Sequence, residues 1–418
     1  MIENVMMNFD DILQSVSFQD LTSLQSDNIR LNIAAFARWI ANGHAGWHFF
    51  SKDVHKSFRY KIEKLYEQAE QIGDLSDLSK RLSAILLTTI PDGHIGIKDS
   101  TGRGVLTMQE LLDIPDKTVN PIPETHVGKN IAYTSVKQLT ADGFQVLDCQ
   151  ININQKPLLI MQHNNIGIVA FSSCLNVSEV TNQQWQHLKN TFAENWQKWD
   201  GVIIDVRGNR GGDSSTLDFI AETLYGNRVP YSDVTYIRNT PEAYFIQDKV
   251  ADNYLTLTEQ VRYQNNLKNL RAYASSDALH IIACDNRTLS QKYPFRPEKE
   301  LEVRILTDRH SSSAGEGIVN QLKFHPYCKT VGENTCGINQ YGHVTTIALP
   351  CQYQLTIGSL YRFFNEGPIE GIGFTPTIST IGQDAFTVAW HDIQTSLASK
   401  KVLLQQIYQQ VNTSRTNK

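Results

Sequence analysis

The sequence lacks a long apolar run, because no stretch approaches the roughly 20 apolar residues that a membrane-spanning helix needs. Its first ten residues carry acids where a secretory signal has lysines, and no apolar segment follows them. The chain also has no CxxC pair, which is typical of reduced thiols in a cytosolic protein. The six cysteines are Cys149, Cys174, Cys284, Cys328, Cys336 and Cys351. These absences predict a cytoplasmic protein, although a mature secreted form whose signal has been removed would have the same features.

The chain also lacks a strong charge of either sign. Lys and Arg total 38 against 43 Asp and Glu, which gives a formal net charge of -5. That mild acidity provides no basic surface for nucleic acid or anionic lipid. There is no P-loop and no dinucleotide-binding fingerprint, and His44 and His48 lack the acid of an HExxH zinc motif. We therefore expect no metal, no cofactor, and no nucleic-acid or membrane partner.

Length and patterning predict an α/β (α+β) protein of several domains. A chain of 418 residues with 41% hydrophobic and 19% charged residues is long enough for two or three globular domains. Residues 1–94 have helical spacing of apolar residues, and residues 95–164 are β-rich and irregular. Residues 165–385 alternate buried strands with helices, as a layered α/β core does, and contain an insertion at about 226–300. Residues 386–418 are predicted to form a C-terminal helix and a polar tail.

Two kinds of pattern carry the secondary-structure predictions. The continuous apolar runs Ile166–Phe171 and Gly201–Val206 indicate buried strands. Helical spacing of apolar residues predicts helices over 62–72, 75–86, 184–199, 257–273 and 390–411. Strand-like runs also occur at 301–307, 329–331, 343–349 and 354–363.

A glycine-rich turn, Asp205–Asp213, directly follows the second buried strand and precedes a helix. Such a turn presents backbone N–H groups at a helix N-terminus, and its glycines let another backbone approach closely. It could form an oxyanion hole or a cradle for a substrate strand. The alternative is a tight strand-to-helix turn that needs glycine only for its dihedral angles.

A second strand-turn-helix segment, Thr307–Glu316, contains three consecutive serines followed by Ala314 and Gly315. Ser313 and Glu316 have the S-x-x-E spacing of a capping box, which is a purely structural explanation. In the functional alternative Ser313 is a nucleophile at a helix N-terminus, where developing negative charge is favoured. The residue types alone leave both interpretations open.

Two loops add candidate acid–base groups. His94 follows the turn Pro91–Gly93, and Glu366 and Glu370 lie in a glycine-rich loop after a predicted strand. Histidine can act as a base near neutral pH, and a carboxylate can orient it. For each of these three side chains the alternative is a solvated surface residue.

Taken in order, these segments resemble peptidase family S41, which includes tail-specific, carboxyl-terminal processing and tricorn-like peptidases. The matching segments are Asp92–His94, Asp205–Gly212, Ser311–Glu316, Gly332–Gly337 and Ile369–Pro376. The resemblance covers most of the chain, because Gly43–Trp47 also looks like the leading part of the family. It implies a crotonase/ClpP-like layered core preceded by a helical N-terminal domain. Residues 95–164 are short for the PDZ domain that many members carry, and we expect no standard PDZ domain there.

The resemblance also implies a role for individual residues. The implied catalytic residues are Ser313 as nucleophile, His94 as base and Glu370 as its supporting acid, with Glu366 as the fallback for Glu370. The implied oxyanion donors are the backbone amides of Ala314 and of Gly211 or Gly212.

The sequence departs from the family pattern in informative places. One branch of the family uses a lysine base at the position that Ile338 holds here, and Lys323 and Lys329 are out of register with it. The histidine-based branch fits better, because His94 is present. A serine can precede that histidine in the branch, and Gly93 stands there instead.

The resemblance therefore implies a serine peptidase that hydrolyses peptide bonds through an acyl-enzyme. Its partner would be a peptide or protein substrate, and homo-oligomerisation is left open. Two alternatives remain, because a fold does not fix a substrate. One is a non-catalytic or hydrophobic-ligand-binding protein on the same scaffold, and the other is a non-peptidase acyl hydrolase.

Overall fold

A computed structural model shows two compact units, each assembled from three separate stretches of chain. The structure describes residues 7–106, 108–115, 117–118, 130–151, 157–174, 182–212, 215–225, 233–254, 265, 268, 280–283, 299–364 and 367–416. The first unit comprises Met1–Ile122, Asp233–Asp285 and Gln340–Gly371. The second comprises Pro123–Ser232, Asn286–Asn339 and Ile372–Lys418. Strand pairing between distant segments groups these stretches within each unit.

The second unit is built on a seven-stranded mixed sheet. Its strands are β2 (Gln145–Ile151), β3 (Pro157–His163), β4 (Ile166–Phe171), β5 (Gly201–Asp205), β8 (Glu302–Thr307), β9 (Cys328–Gly332) and β12 (Ile378–Ser379), in the order β12-β9-β8-β5-β4-β3-β2. Strands β4, β5, β8, β9 and β12 are parallel, whereas β2 and β3 add an antiparallel edge. The adjacent parallel strands β5 and β8 therefore end at the same edge of the sheet, and both candidate turns follow them there.

Helices cover the second sheet. They are α7 (Val136–Ala141), α8 (Asn182–Asn195), α9 (Ser215–Tyr225), α11 (Ala314–Leu322) and α12 (Ala385–Thr416). Every residue of β4 and β5 is buried, which confirms the two strands predicted from apolar runs, and β8 confirms the strand-like run at 301–307. The long helix α12 places Ala389 and Ile393 in a core with Ile203 and Leu306. Buried parallel strands require this cover on both faces.

The first unit begins with a series of helices. They are α1 (Phe9–Gln14), α2 (Phe18–Ser23), α3 (Ile29–Arg38), α4 (Lys52–Glu67), α5 (Leu75–Leu87) and α6 (Met108–Asp113), and α10 (Pro241–Tyr254) joins them from the insertion. The side chains of Asn8, Ser17, Asn28, Ser51 and Asp74 accept a backbone N–H at the starts of α1 to α5. Such caps satisfy amides that a helix leaves unpaired at its N-terminus. The local sequence thus sets where these helices begin.

The helices of the first unit pack with a five-stranded antiparallel sheet. Its strands are β1 (Gly96–Lys98), β6 (Asp233–Arg238), β7 (His280–Ala283), β10 (Tyr341–Ala348) and β11 (Gln354–Phe364). Strand β11 pairs with β1, β6 and β10, and β6 pairs with β7. Residues from β11, such as Leu355 and Ile357, join Phe36 and Trp39 in one apolar core. The described part of the insertion therefore contributes β6, α10 and β7 to this unit.

Other predictions have different outcomes. The predicted helix over 75–86 is confirmed by α5, whereas the 62–72 pattern continues past the end of α4 into a 3₁₀ turn at Ala69–Gln71. The predicted helix over 257–273 falls almost entirely outside the described residues, and so do Glu366 and Cys284. None of the helices in the described part of the chain has the length and apolar character required to cross a bilayer.

Candidate active site

Ser313 occupies a strained turn between β8 and α11. Its φ of 52° and ψ of -123° lie in a region that residues other than glycine rarely adopt. Such a conformation costs on the order of 1–3 kcal/mol and recurs at functional sites. Because Ala314 is the first helical residue, its amide has no acceptor within the helix. The turn therefore places a hydroxyl next to a donor at the positive end of a helix dipole.

A buried carboxylate, that of Glu316, secures this turn. Its Oε2 accepts the amides of Ser313 (3.0 Å) and Ile338 (2.9 Å). Its Oε1 accepts the Thr335 hydroxyl (2.5 Å) and the Gly337 amide (2.9 Å). Burial raises the pKa of Glu316, and these donors act in the opposite direction. The glutamate half of the proposed capping box is thus present, and it also ties the serine turn to residues 335–338.

The glycine-rich turn after β5 packs directly against Ser313. Gly211 and Gly212 have φ values of +91° and +133°, which favour glycine. A Cβ on Gly211 would lie 2.8 Å from the Ser313 Cβ and 2.9 Å from the Ala314 nitrogen. A Cβ on Gly212 would lie 1.8 Å from the carbonyl oxygen of Cys174. Both glycines are therefore required by close approach as well as by dihedral angle.

Asn209 shapes the same turn, and its importance was not apparent from the sequence. Its buried Oδ1 accepts the amides of Gly211 (2.9 Å) and Cys174 (3.2 Å), and its carbonyl accepts the amide of Ser312 (2.9 Å). This residue thus joins the loops that follow β4, β5 and β8. Because the Gly211 amide is engaged by Asn209, the Gly212 amide is the better candidate for an oxyanion donor.

The charged residues of this turn have a structural role. Asp205 and Arg207 form a buried ion pair at 2.8 Å, and Arg207 also contacts Asp384 at 3.2 Å. Asp205 accepts the amide of Ile131 at 2.9 Å as well. These bonds anchor the turn to the sheet and to the start of α12.

His94 belongs to the first unit, where its turn contains Asp92 and packs against His44. Its Nδ1 lies 3.5 Å from Oδ1 of Asp92, and its backbone amide donates to the same oxygen at 2.8 Å. The other oxygen of Asp92 lies 2.8 Å from Nε2 of His44. Burial disfavours the charge on Asp92, but the hydrogen bonds from His44 and His94 outweigh it and hold its pKa below the usual range. Both ring nitrogens of His44 are engaged here, by Asp92 and by the Gly46 amide.

Glu370 also belongs to the first unit, and it holds the turn that carries His94. Its Oε1 accepts the Gly93 amide at 2.8 Å, and its Oε2 accepts the Gln340 amide at 3.2 Å. The buried Gln340 side chain accepts in return the amides of Ile369 (2.9 Å) and Glu370 (3.3 Å). These bonds join the two loops that the sequence singled out, 92–94 and 369–371.

The two lysines that are out of register have contacts of their own. Lys323 Nζ lies 5.3 Å from the centroids of the Phe324 and Phe374 rings. Lys329 pairs with Asp392 at 3.0 Å. The candidate residues therefore fall into two groups. Ser313, Ala314, Gly211 and Gly212 lie in the second unit, and His94 and Glu370 lie in the first.

Comparison with solved structures finds chains that are similar over most of their length. A provisionally assigned peptidase from Parabacteroides merdae ATCC 43184 matches with a TM-score of 0.50 at 16% identity, over 88% of this chain and 97% of that one. Mature CPAF matches with a TM-score of 0.47 at 12% identity, over 90% and 97% of the two chains. The photosystem II D1 C-terminal processing protease matches with a TM-score of 0.42 at 11% identity, over 85% and 93%. At 16% identity, the likeness to the Parabacteroides merdae protein is evidence for the fold alone.

Comparison of sequences gives the family. No curated protein matches the chain significantly. The family model described as "Peptidase family S41" matches residues 165–380, just over half of the chain, and spans both the Ser313 turn and the glycine-rich turn. The chain therefore belongs to peptidase family S41 and is a serine peptidase that acts on peptides or proteins.

Proposed function

We propose that this peptidase cleaves peptide bonds through an acyl-enzyme on Ser313, with His94 as the general base. The amides of Ala314 and Gly212 then bind the oxyanion, and Glu370 fixes the turn that presents the base. The observation that carries the proposal is the strained backbone of Ser313 at a helix N-terminus, against which the Gly211 turn packs.

The chemistry follows from these groups. A serine hydroxyl is a weak nucleophile until a base takes its proton, and a histidine ring can do this near neutral pH. The proton then passes from the ring to the leaving amine, which leaves an acyl group on Ser313. Water attacks the acyl carbon in the second half of the cycle, with the same base. Oxyanion donors of this kind contribute about 3–4 kcal/mol each to the transition state.

The assigned groups can be tested with a fluorophosphonate probe followed by peptide mapping. Wild-type enzyme is expected to carry the adduct on Ser313, and peptide mapping separates Ser313 from the neighbouring Ser311 and Ser312. His94→Ala is expected to lose labelling by about 10²–10⁴-fold, the usual contribution of a general base. His391→Ala, which changes an exposed histidine, is the matched control and should label normally.

Other outcomes would redirect the assignment. Labelling that survives the loss of His94 would exclude it as the base. A Glu370→Gln variant with full activity would remove Glu370 from the mechanism, whereas we expect a smaller loss than for His94→Ala. A peptide library compared with ester substrates separates peptidase from acyl hydrolase activity. Mass spectrometry of the products separates internal cleavage from carboxyl-terminal trimming.

A further inference from the structure

We propose that Asp92 and His44 form a buried positioning pair that fixes the ring and tautomer of His94. This inference rests on the proposed function, because it takes His94 to be the base. Neither residue touches substrate in this proposal. Both act through His94, and Glu370 acts on the backbone of the same turn.

The first observation is a charged group in a fully enclosed position. The side chains of Asp92 and His44 are 0% exposed, whereas that of His94 is 13% exposed. Burying a carboxylate is costly unless hydrogen bonds compensate for the lost water. Each oxygen of Asp92 has its own histidine neighbour: Oδ1 faces His94 and Oδ2 faces His44. The fold therefore maintains an anion directly behind the histidine.

The second observation fixes the proton on His44. Its Nδ1 accepts the Gly46 amide at 3.0 Å, so this nitrogen carries no hydrogen. Its hydrogen must then be on Nε2, which lies 2.8 Å from Asp92 and donates to it. A neutral His44 leaves the negative charge of Asp92 available to His94. An imidazolium at His44 would place an N–H against the Gly46 amide.

The surroundings keep His44 in this orientation. It follows a π-helical turn, Trp39–Gly43. Such turns are rare in proteins as a whole, and those that occur are often at functional sites. A Cβ on Gly46 would lie 2.3 Å from the Tyr341 ring and 3.1 Å from the His44 ring, so glycine is needed there. The Tyr341 ring itself lies 5.1 Å from that of His44. Two further ionisable groups, Tyr341 and Glu370, face this region, and burial raises the pKa of the Tyr341 phenol.

The consequence concerns His94. An anion 3.5 Å from its Nδ1 favours the tautomer with the proton on Nδ1, in which Nε2 is unprotonated and can act as the base. The same anion stabilises the imidazolium once it forms. Contacts of this kind are often long in a resting enzyme and shorten when substrate binds. The role resembles that of the carboxylate in a serine triad, but a second histidine sits behind the acid.

The test uses the full chain and measures the rate of fluorophosphonate labelling of Ser313 from pH 5 to 9. Asp92→Asn keeps the shape of the side chain and removes its charge. We expect labelling at pH 7 to fall by about 10²–10⁴-fold. We also expect the acid limb of the profile to move about 1–3 units lower, because the imidazolium loses its counter-charge. A merely structural role of Asp92 would not move this limb.

Two further comparisons sharpen the result. His44→Phe removes the donor to Asp92, whereas His44→Gln can restore an N–H near the same place. We therefore expect the His44→Gln variant to recover part of the labelling rate that the His44→Phe variant loses. Asp99→Asn is the matched control, because Asp99 also accepts backbone amides in a turn, those of Thr101 and Arg103. It should label as wild type does.

The outcomes are separable. Asp92→Asn that labels at the wild-type rate with an unmoved profile would overturn the inference. If that variant does not fold, ¹⁵N-histidine NMR of the wild type at pH 8 decides, with His44 assigned from the signal lost in His44→Gln. We expect the proton on Nε2 of His44 and on Nδ1 of His94, and the opposite tautomer at either ring would refute the pair. Wild-type enzyme that fails to label Ser313 would instead refute the proposed function.

Discussion

Glu316→Gln tests how the Ser313 turn is held in place. The substitution keeps the size of the side chain and replaces one carboxylate oxygen with an NH₂ group. The wild-type carboxylate is fully buried and accepts hydrogen bonds from Ser313, Ile338, Thr335 and Gly337. Every partner is a donor in this arrangement, so a glutamine nitrogen must face at least one N–H group.

The orientation of the new glutamine amide determines how much stability is lost. With its nitrogen at the Oε1 position, the Thr335 hydroxyl can rotate and accept, and only the Gly337 amide loses its acceptor. With its nitrogen at the Oε2 position, the amides of Ser313 and Ile338 both lose theirs. A buried donor left without an acceptor costs about 1–3 kcal/mol, so the first orientation is the less costly one. We therefore expect the free energy of unfolding to fall by about 1–3 kcal/mol.

Urea unfolding followed by tryptophan fluorescence measures this loss. With a slope of about 2 kcal/mol per molar urea, the midpoint should fall by roughly 0.5–1.5 M. Labelling of Ser313 should change little, because in the less costly orientation the remaining oxygen still accepts the Ser313 amide. Glu333→Gln is the control, since Glu333 is half exposed and pairs only at the surface with Arg309, where such pairs contribute about 0–1 kcal/mol. An unchanged midpoint for Glu316→Gln would refute the hydrogen-bonding scheme.

Two further predictions concern the turn and the pH dependence of stability. Gly211→Ala should reduce labelling of Ser313 by about tenfold or more, since each 1.4 kcal/mol added to the activation free energy slows a reaction tenfold. Gly382→Ala is the control for backbone strain, because Gly382 has a similar positive φ but open space around it. Equal loss of labelling in both variants would exclude the steric explanation. Burial lowers the pKa of His325 from 6.5 to about 4, so its contribution to stability is present above pH 6.5 and is lost as the pH falls toward 4. Between pH 7 and 5 the free energy of unfolding should therefore fall by about 2 kcal/mol, at about 1.4 kcal/mol per pKa unit. Urea unfolding of His325→Phe at the two pH values should lack this difference. The same pH dependence in wild type and variant would contradict the assignment to His325.

Local patterns predicted elements well where one segment alone sets the structure. The apolar runs of β4 and β5 and the spacing in α5 match the structure, because burial on both faces and a 3.6-residue period are properties of the segment itself. The first unit's sheet was harder to predict. Its strand β11 pairs with β6 from the insertion and with β1 near the N-terminus, and such pairings depend on contacts between segments distant in sequence.

The sequence by itself supplied the candidate site residues and their order along the chain. Ser313, His94, Glu370 and the glycine pair were singled out because their short motifs, taken in order, resemble peptidase family S41, and their catalytic roles stay predictions. Only the tertiary structure placed His44 against Asp92, which is 48 residues away, and Glu316 against residues 335–338. Only the tertiary structure showed that the side-chain oxygen of Asn209 accepts a hydrogen bond from the Gly211 amide. The physical reason is that a buried polar group takes whichever partner the fold brings within hydrogen-bond distance, and no local pattern encodes that choice.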